Sequence, residues 1–398
     1  MSTKPFYNHI AGLRGIAIFL VFLFHLCSSS FPHGFYGVDI FLVITGYLLF
    51  LSFTRKGNQL NLKDFASKKL FRIFPPMIIA ILLTLMAGML FQDYENVITT
   101  SRTGRYSLLG FANSFLSKTQ NDYFAADALD NPLLHMWYLS VTIHIYIIFA
   151  VGCVLYRFIP RVLSVILLWG IGIASFCYGY SYQLHNILQS LSLPVWEQLT
   201  PVSYYHTLPR VWEPLAGGAI LLLPLTASKS KATVLSLLGL LAALIPALVP
   251  ASIADYGVPL VVVGTMLIIR YLPDSCLMPI LDNKFLLWVG SISFSLYLVH
   301  MPVITFFRSW YQGINSWTDY AIITLLSFVL AYLFWFLIEK RKMNIWVTLG
   351  LWVLSLAICI LGKEKEGFKD YIYPESNNIR ISPYDDWKFT PPKPLIIN

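Results

Sequence analysis

The fold class the sequence predicts is all-α: a polytopic transmembrane helical bundle of ten or eleven spans with a cytoplasmic N-terminus. Three observations predict it. Of 398 residues, 57% are hydrophobic and 12% charged, too few charges to clothe a water-facing globule of ordinary composition. Apolar stretches of roughly 20 residues, the helical length that crosses about 30 Å of hydrocarbon, recur from Ile16 to Leu361. Nothing alternates with period two, and in lipid a helix satisfies its own backbone where an open strand does not.

The first span, 10–28, follows Met1 to His9 with one lysine and has no small-residue cleavage site, so it reads as a retained helix. The second, 35–53, is joined to the third, 73–91, by a polybasic inner loop, Thr54 to Phe71, which runs into Lys68-Lys69-Leu70-Phe71-Arg72. A long outer connection, Gln92 to Asn131, leads to the fourth span, 133–156; a loop of that length usually covers or lines something. The fifth, 162–180, reaches the sixth, 209–226, through a second long outer connection, Ser181 to Leu208. Spans 233–249, 257–271, 285–306 and 319–338 complete a transmembrane domain over 1–344. An additional helix, 345–361, precedes an external polar linker or tail, 362–398, with no apolar periodicity.

Lys and Arg gather in alternate loops. One set is Lys4, Arg55, Lys56, Lys63, Lys68, Lys69, Arg72, Arg157, Arg161, Lys229, Lys231, Arg270, Lys284, Lys340, Arg341 and Lys342; the opposite loops hold Arg102, Arg105, Lys118 and Arg308. Sixteen against four places the N-terminus in the cytoplasm and, after eleven crossings, the tail outside. That distribution explains the net charge of +8 as membrane topology and excludes nucleic-acid binding. Five scattered cysteines form no C-x-x-C pair, so neither a disulfide framework nor a zinc site is implied, and no metal is expected.

Ionisable groups at membrane depth are costly and mark sites. Arg14 lies near the inner end of the first span, and His25, eleven residues on, lies about 16 Å further out. Asp39, His135, Arg210, Glu213 and His300 share that outer depth, while Lys69 and Arg72 join Arg14 at the inner face. The layout suggests a cavity with an anion-binding inner mouth and an acid/base outer chamber. Acyl transfer from a cytosolic thioester to an external hydroxyl needs both: fixed cations for the donor's phosphates and a base for the acceptor alcohol. His25 suits the base, Asp39 suits an orienting partner, and Arg14 or Arg210 suits an oxyanion. Bland readings stand beside these. Arg55, Lys56 and Lys63 read as topology anchors, His25 also suits a helix-to-helix hydrogen bond, and Arg210 with Glu213, at i and i+3, also reads as a self-neutralising ion pair.

Several motifs carry a family resemblance. Leu13-Arg14-Gly15 with His25 ten residues on, Gly37-Val38-Asp39-Ile40-Phe41, Thr45-Gly46-Tyr47, Asn131 to Val141 with His135 and Trp137, Tyr204 to Gly217 with Arg210-Val211-Trp212-Glu213, and Gly290 to His300 with Tyr297 occur in order. Together they resemble the acyltransferase-3 family of integral membrane O-acyltransferases over roughly residues 8 to 340. The resemblance implies transfer of an acetyl or similar group from cytosolic acyl-CoA, a substrate rather than a bound cofactor, to an envelope polysaccharide or lipid-linked glycan such as O-antigen. It implies a multi-pass protein of the inner (plasma) membrane. His25 and Arg14 match the family's essential pair, and Lys69 with Arg72 its basic donor motif, Lys69 lacking arginine's bidentate fork. His135, Trp137, Arg210, Glu213, Tyr297 and His300 fall on the acceptor side. After Val141, Thr142, Ile143 and His144 replace the usual glutamates and glutamine, which puts that role in doubt or moves it to His144 or Glu213. Longer relatives continue into an external hydrolase-like domain, so a partner or domain of that kind is expected after the tail. The rivals are a proton-coupled transporter or exporter, for which no broken-helix pair in matching halves is seen, and a catalytically altered scaffold.

Overall fold

The computed structural model describes residues 8–119, 123, 129–190, 202–224, 228–248, 257–311 and 313–372, and every regular element among them is helical. The chain opens with α1 (Asn8–Leu26), α2 (Gly37–Arg55) and α3 (Leu62–Phe91). Helix α3 starts well before the expected 73, because the polybasic stretch is itself helical. Asn61 caps it by accepting from the Asp64 N–H, and Asp64 pairs with Lys56 at 3.1 Å and Lys68 at 2.7 Å. Pro75 and Pro76 sit inside α3 and lack the N–H groups that would bond the Phe71 and Arg72 carbonyls.

The expected outer connection Gln92–Asn131 instead dips back into the bundle. Helix α4 (Tyr94–Leu108) runs antiparallel to a late helix, α5 (Ala112–Thr119) returns, and Gly110, at φ +78°, makes the turn between them. The Ala112 N–H donates to Ser140 Oγ at 3.0 Å and the Trp352 indole N–H donates to the Leu108 carbonyl at 3.0 Å, so the tip lies deep among spans. Hydropathy conceals this hairpin because, between Val97 and Leu108, the buried face of α4 is Thr100, Ser101, Thr103, Gly104 and Ser107. Thr103 and Ser107 donate to carbonyls four residues back, at 2.9 and 2.7 Å, so these small polar side chains pack against neighbours with their donors already satisfied.

Helices α6 (Trp137–Leu155), α7 (Arg161–Gly179) and α8 (Ser181–Ser190) follow. Only 11% of the apolar window of α7 is buried, so lipid covers most of it. The sixth expected span is a composite: a 3₁₀ turn Leu208–Arg210, α9 (Trp212–Ala219) and a 3₁₀ turn Ile220–Leu222. The steeper 3₁₀ rise stretches these residues to about 25 Å, and Leu222 ends beside Thr54 on the basic end of α2. Helices α2 and α9 touch backbone to backbone: a Cβ on Gly46 would strike Pro214, and one on Gly217 would strike Val43.

The remainder comprises α10 (Lys229–Leu248), α11 (Gly257–Tyr271), α12 (Met278–Leu281), α13 (Lys284–Ser291), α14 (Ser293–Tyr311), α15 (Trp317–Phe334) and α16 (Ile345–Glu364). The expected single span 285–306 is broken at Ile292, where α13 and α14 bend by 72°. Among the described residues nine helices are long and apolar enough to cross a membrane, ten with this bent pair, and the composite segment is not among them. The protein is a multi-pass helical membrane protein. Of the expected tail, 373–398 lie outside the described residues.

Candidate active site

At the basic end, α1, α2, α3, α6 and α14 surround a cavity of about 140 Å³ that holds Arg14, Lys69 and Arg72 together with Thr45, Thr142, Tyr146 and Ser293. The break at Ile292 is what places Ser293, the first residue of α14, in the cavity lining. Arg14 Nη2 donates to Ser293 Oγ at 2.7 Å, and that hydroxyl donates to the Gly290 carbonyl at 2.9 Å. Lys69 Nζ lies 5.4 Å from the Tyr146 ring centre, a spacing at which a cation is held without being neutralised. Three cations with no carboxylate in the lining make an anion site. Two roomier clefts, of about 180 and 410 Å³, are lined almost wholly by apolar groups of α2, α6, α7 and α9 and contain no charged side chain.

Tyr138 and Tyr297, with ring centres 5.6 Å apart, roof the basic cavity. The Tyr297 hydroxyl donates to the His135 carbonyl, and beyond it stands a cluster of buried imidazoles. His300 Nε2 lies 3.1 Å from His25 Nδ1, His25 Nε2 lies 3.0 Å from the Tyr123 hydroxyl, and the His135 ring centre is 5.4 Å from that of His300. All three histidines are at most 3% exposed. Trp137, Tyr204 and Tyr205 pack around Tyr123 with ring centres 5.9, 4.8 and 5.6 Å from it.

Asp39 shares the depth of His25 but is turned to a different partner. Arg210 Nη1 donates to Asp39 Oδ1 at 2.8 Å and to Glu213 Oε1 at 3.5 Å, and Arg210 Nε donates to the Tyr204 carbonyl at 3.1 Å. The guanidinium also lies 4.1 Å from the Tyr204 ring centre and 5.1 Å from that of Trp137. The expected carboxylate–imidazole pair is therefore replaced by an ion triad, because the composite sixth crossing delivers Arg210 onto the first turn of α2. Arg210, so engaged, is not free to serve an oxyanion, and Glu213 belongs to the same triad. His144 bonds Thr207 Oγ1 at 2.8 Å, and Asn113 Nδ2 of the re-entrant hairpin donates to the same oxygen at 3.1 Å.

Sequence reading missed Tyr123, Ser293, Ser295 and Glu339. Ser295 Oγ donates to Glu339 Oε2 at 2.6 Å, and Glu339 ends a π-helical turn, Trp335–Glu339, which follows α15. Such turns recur at functional sites, but they leave no mark in hydropathy. Tyr123 sits in a connection whose sequence gave no periodicity. Among the described residues no three His, Cys, Asp or Glu side chains are arranged to hold a metal ion.

A family model described as "Acyltransferase domain" matches residues 7–340. The chain is 28% identical over 333 residues to the peptidoglycan O-acetyltransferase OatA of Listeria monocytogenes, covering 76% of this chain and 50% of that protein. It is 27% identical over 357 residues to the O-acetyltransferase OatA of Staphylococcus aureus, covering 83% and 56%. It is 28% identical over 309 residues to the putative membrane-bound transacylase BcsY of Komagataeibacter xylinus, covering 74% and 72%. The chain thus spans about half the length of the two OatA proteins. No solved structure matches.

Proposed function

The chain belongs to the acyltransferase-3 family, matched over residues 7–340, and on that premise we propose that it is a membrane O-acetyltransferase of the cell envelope. It moves an acetyl group from cytosolic acyl-CoA to a hydroxyl of an extracytoplasmic glycan, in the inner membrane. The printed name of the Listeria relative favours peptidoglycan as acceptor over O-antigen lipopolysaccharide.

The observation that carries this reading is the order of groups along two adjacent helices. Arg14 and Ser293 line the basic cavity, and His25 and His300 lie 25 − 14 = 11 and 300 − 293 = 7 residues further along α1 and α14. At 1.5 Å per residue these are rises of about 16 and about 10 Å, a span suited to an elongated thioester arm. Arg14, Lys69 and Arg72 hold the donor's phosphates, and the arm passes the Tyr138–Tyr297 roof when those rings part. The acceptor hydroxyl gives its proton to His25 Nε2 as its oxygen attacks the thioester carbonyl. The carbon–sulfur bond then breaks, and the leaving thiolate takes the proton from the imidazolium. The ring walls around His25 exclude water, which would otherwise divert the acetyl group to hydrolysis.

His25→Ala tests the reading. Glycan acetylation by protein inserted normally in the membrane is expected to fall by about 10²–10⁴-fold, the usual worth of a general base. Acetylation at the original level would overturn it. Liposomes holding purified protein separate transfer from transport: free coenzyme A released with acetylated sugar marks transfer, and solute accumulation without thioester loss marks a transporter.

A further inference from the structure

The hydrogen bonds around the imidazole pair determine where its protons sit. His300 Nδ1 lies 2.9 Å from the Leu296 carbonyl oxygen and 2.8 Å from that of Tyr297, and carbonyls only accept, so Nδ1 carries a hydrogen. A second proton on this fully buried ring would be an uncompensated charge, and no ion pair reaches His300 among the described residues. Its Nε2 is therefore a bare acceptor. That atom is 3.1 Å from His25 Nδ1, and two bare nitrogens at that separation repel, so His25 Nδ1 carries the hydrogen and donates. The remaining nitrogen of His25, Nε2, then turns its lone pair to the Tyr123 hydroxyl 3.0 Å away, which donates to it until an acceptor hydroxyl takes its place.

From this chain of donors we infer that His300 is a positioning residue: it locks His25 in the tautomer whose Nε2 accepts a proton, the task a carboxylate performs in a Ser-His-Asp arrangement. The inference rests on the role of His25 as base. Phe22 lies edge-on to His300 with ring centres 6.3 Å apart and Phe24 edge-on to His25 at 5.1 Å, so neither ring turns without displacing a neighbour. A neutral imidazole in this role avoids a buried anion at membrane depth. It still presents an acceptor to the imidazolium that forms on His25, backed by two carbonyl dipoles through its own Nδ1–H.

Three variants and one spectrum test this. His300→Leu is expected to lower kcat by about 10²–10³-fold with KM for the thioester within about twofold of the parent, since the basic cavity is untouched. His300→Gln, whose side-chain carbonyl reaches the same place and accepts from His25 Nδ1, is expected to recover to within about tenfold of the parent. In ¹⁵N-histidine spectra of the unaltered protein in lipid nanodiscs at neutral pH, His25 and His300 are both expected to be protonated at Nδ1. Parent-level kcat in His300→Leu, a His300→Gln variant no better than Leu, or His25 protonated at Nε2 would overturn the inference. If His300→Leu does not insert, the glutamine variant and the spectrum decide. Activity retained in His25→Ala would remove the acyl-transfer reading instead, a result distinct from any His300 outcome.

Discussion

Asp39 and Arg210 offer the sharpest test of how this site is built, because spacing alone assigns Asp39 to His25 while geometry assigns it to Arg210. The Arg210 Nη1–Asp39 Oδ1 contact of 2.8 Å joins side chains 8% and 0% exposed. At an effective dielectric near 20 its attraction is about 6 kcal/mol before desolvation is charged against it. Arg210→Met strands the Asp39 and Glu213 carboxyl groups in the interior, about 3–5 kcal/mol, and forfeits a cation–π contact of about 1–2 kcal/mol. A loss of that size consumes most of an ordinary folding stability, so little folded Arg210→Met protein is expected. Asp39→Asn keeps an oxygen for the guanidinium to donate to and leaves Glu213 as counter-ion, which limits the cost to about 1–2 kcal/mol. Tryptophan-fluorescence melting in detergent measures both, and acetyl transfer per folded molecule is expected to stay within about threefold of the parent in Asp39→Asn. If that variant melts like the parent but loses transfer a hundredfold, Asp39 acts in the chemistry and the support role assigned to it here fails.

Lys69→Arg restores a bidentate fork beside Arg72 in the basic cavity. The KM for acyl-CoA is expected to fall about three- to tenfold with kcat unchanged, and an unchanged or higher KM in steady-state kinetics would contradict phosphate binding there. Gly217→Ala drives a Cβ into the Val43 backbone, which a flexible side chain cannot relieve. A cost of about 1–3 kcal/mol or more is expected, visible as a smaller monodisperse fraction on size-exclusion chromatography; a parent-like profile would mean that α2 and α9 are not in backbone contact.

Long apolar runs were legible, and so was the depth of each buried charge, because position along a helix converts directly to height in the bilayer. Depth puts Arg14, Lys69 and Arg72 in one layer and six groups, His25, Asp39, His135, Arg210, Glu213 and His300, in another; the structure lines one cavity with the first three and sets His25 3.1 Å from His300. Height carries no azimuth, however, so Asp39, level with His25, was assigned to a ring that His300 holds. The sixth crossing was legible as apolar but not as a 3₁₀–α–3₁₀ composite, and the 284–311 run gave no sign of its bend at Ile292, since the hydropathy of a broken helix equals that of a straight one. The re-entrant α4–α5 hairpin was hidden because Thr103 and Ser107 satisfy their hydroxyls within their own helix and so bury polar sequence.

By itself, then, the sequence determined the solvent, the helical class of the spans and the layer of the charges within them, because lipid imposes on each crossing segment a length and a backbone-satisfaction rule that composition reveals. Only the tertiary structure decided which groups in a layer meet. His300 on His25, Asp39 on Arg210 and Ser293 on Arg14 follow from how helices rotate and break where Gly46, Gly217 and Gly290 allow backbones to touch, a close packing that no local pattern of residues encodes.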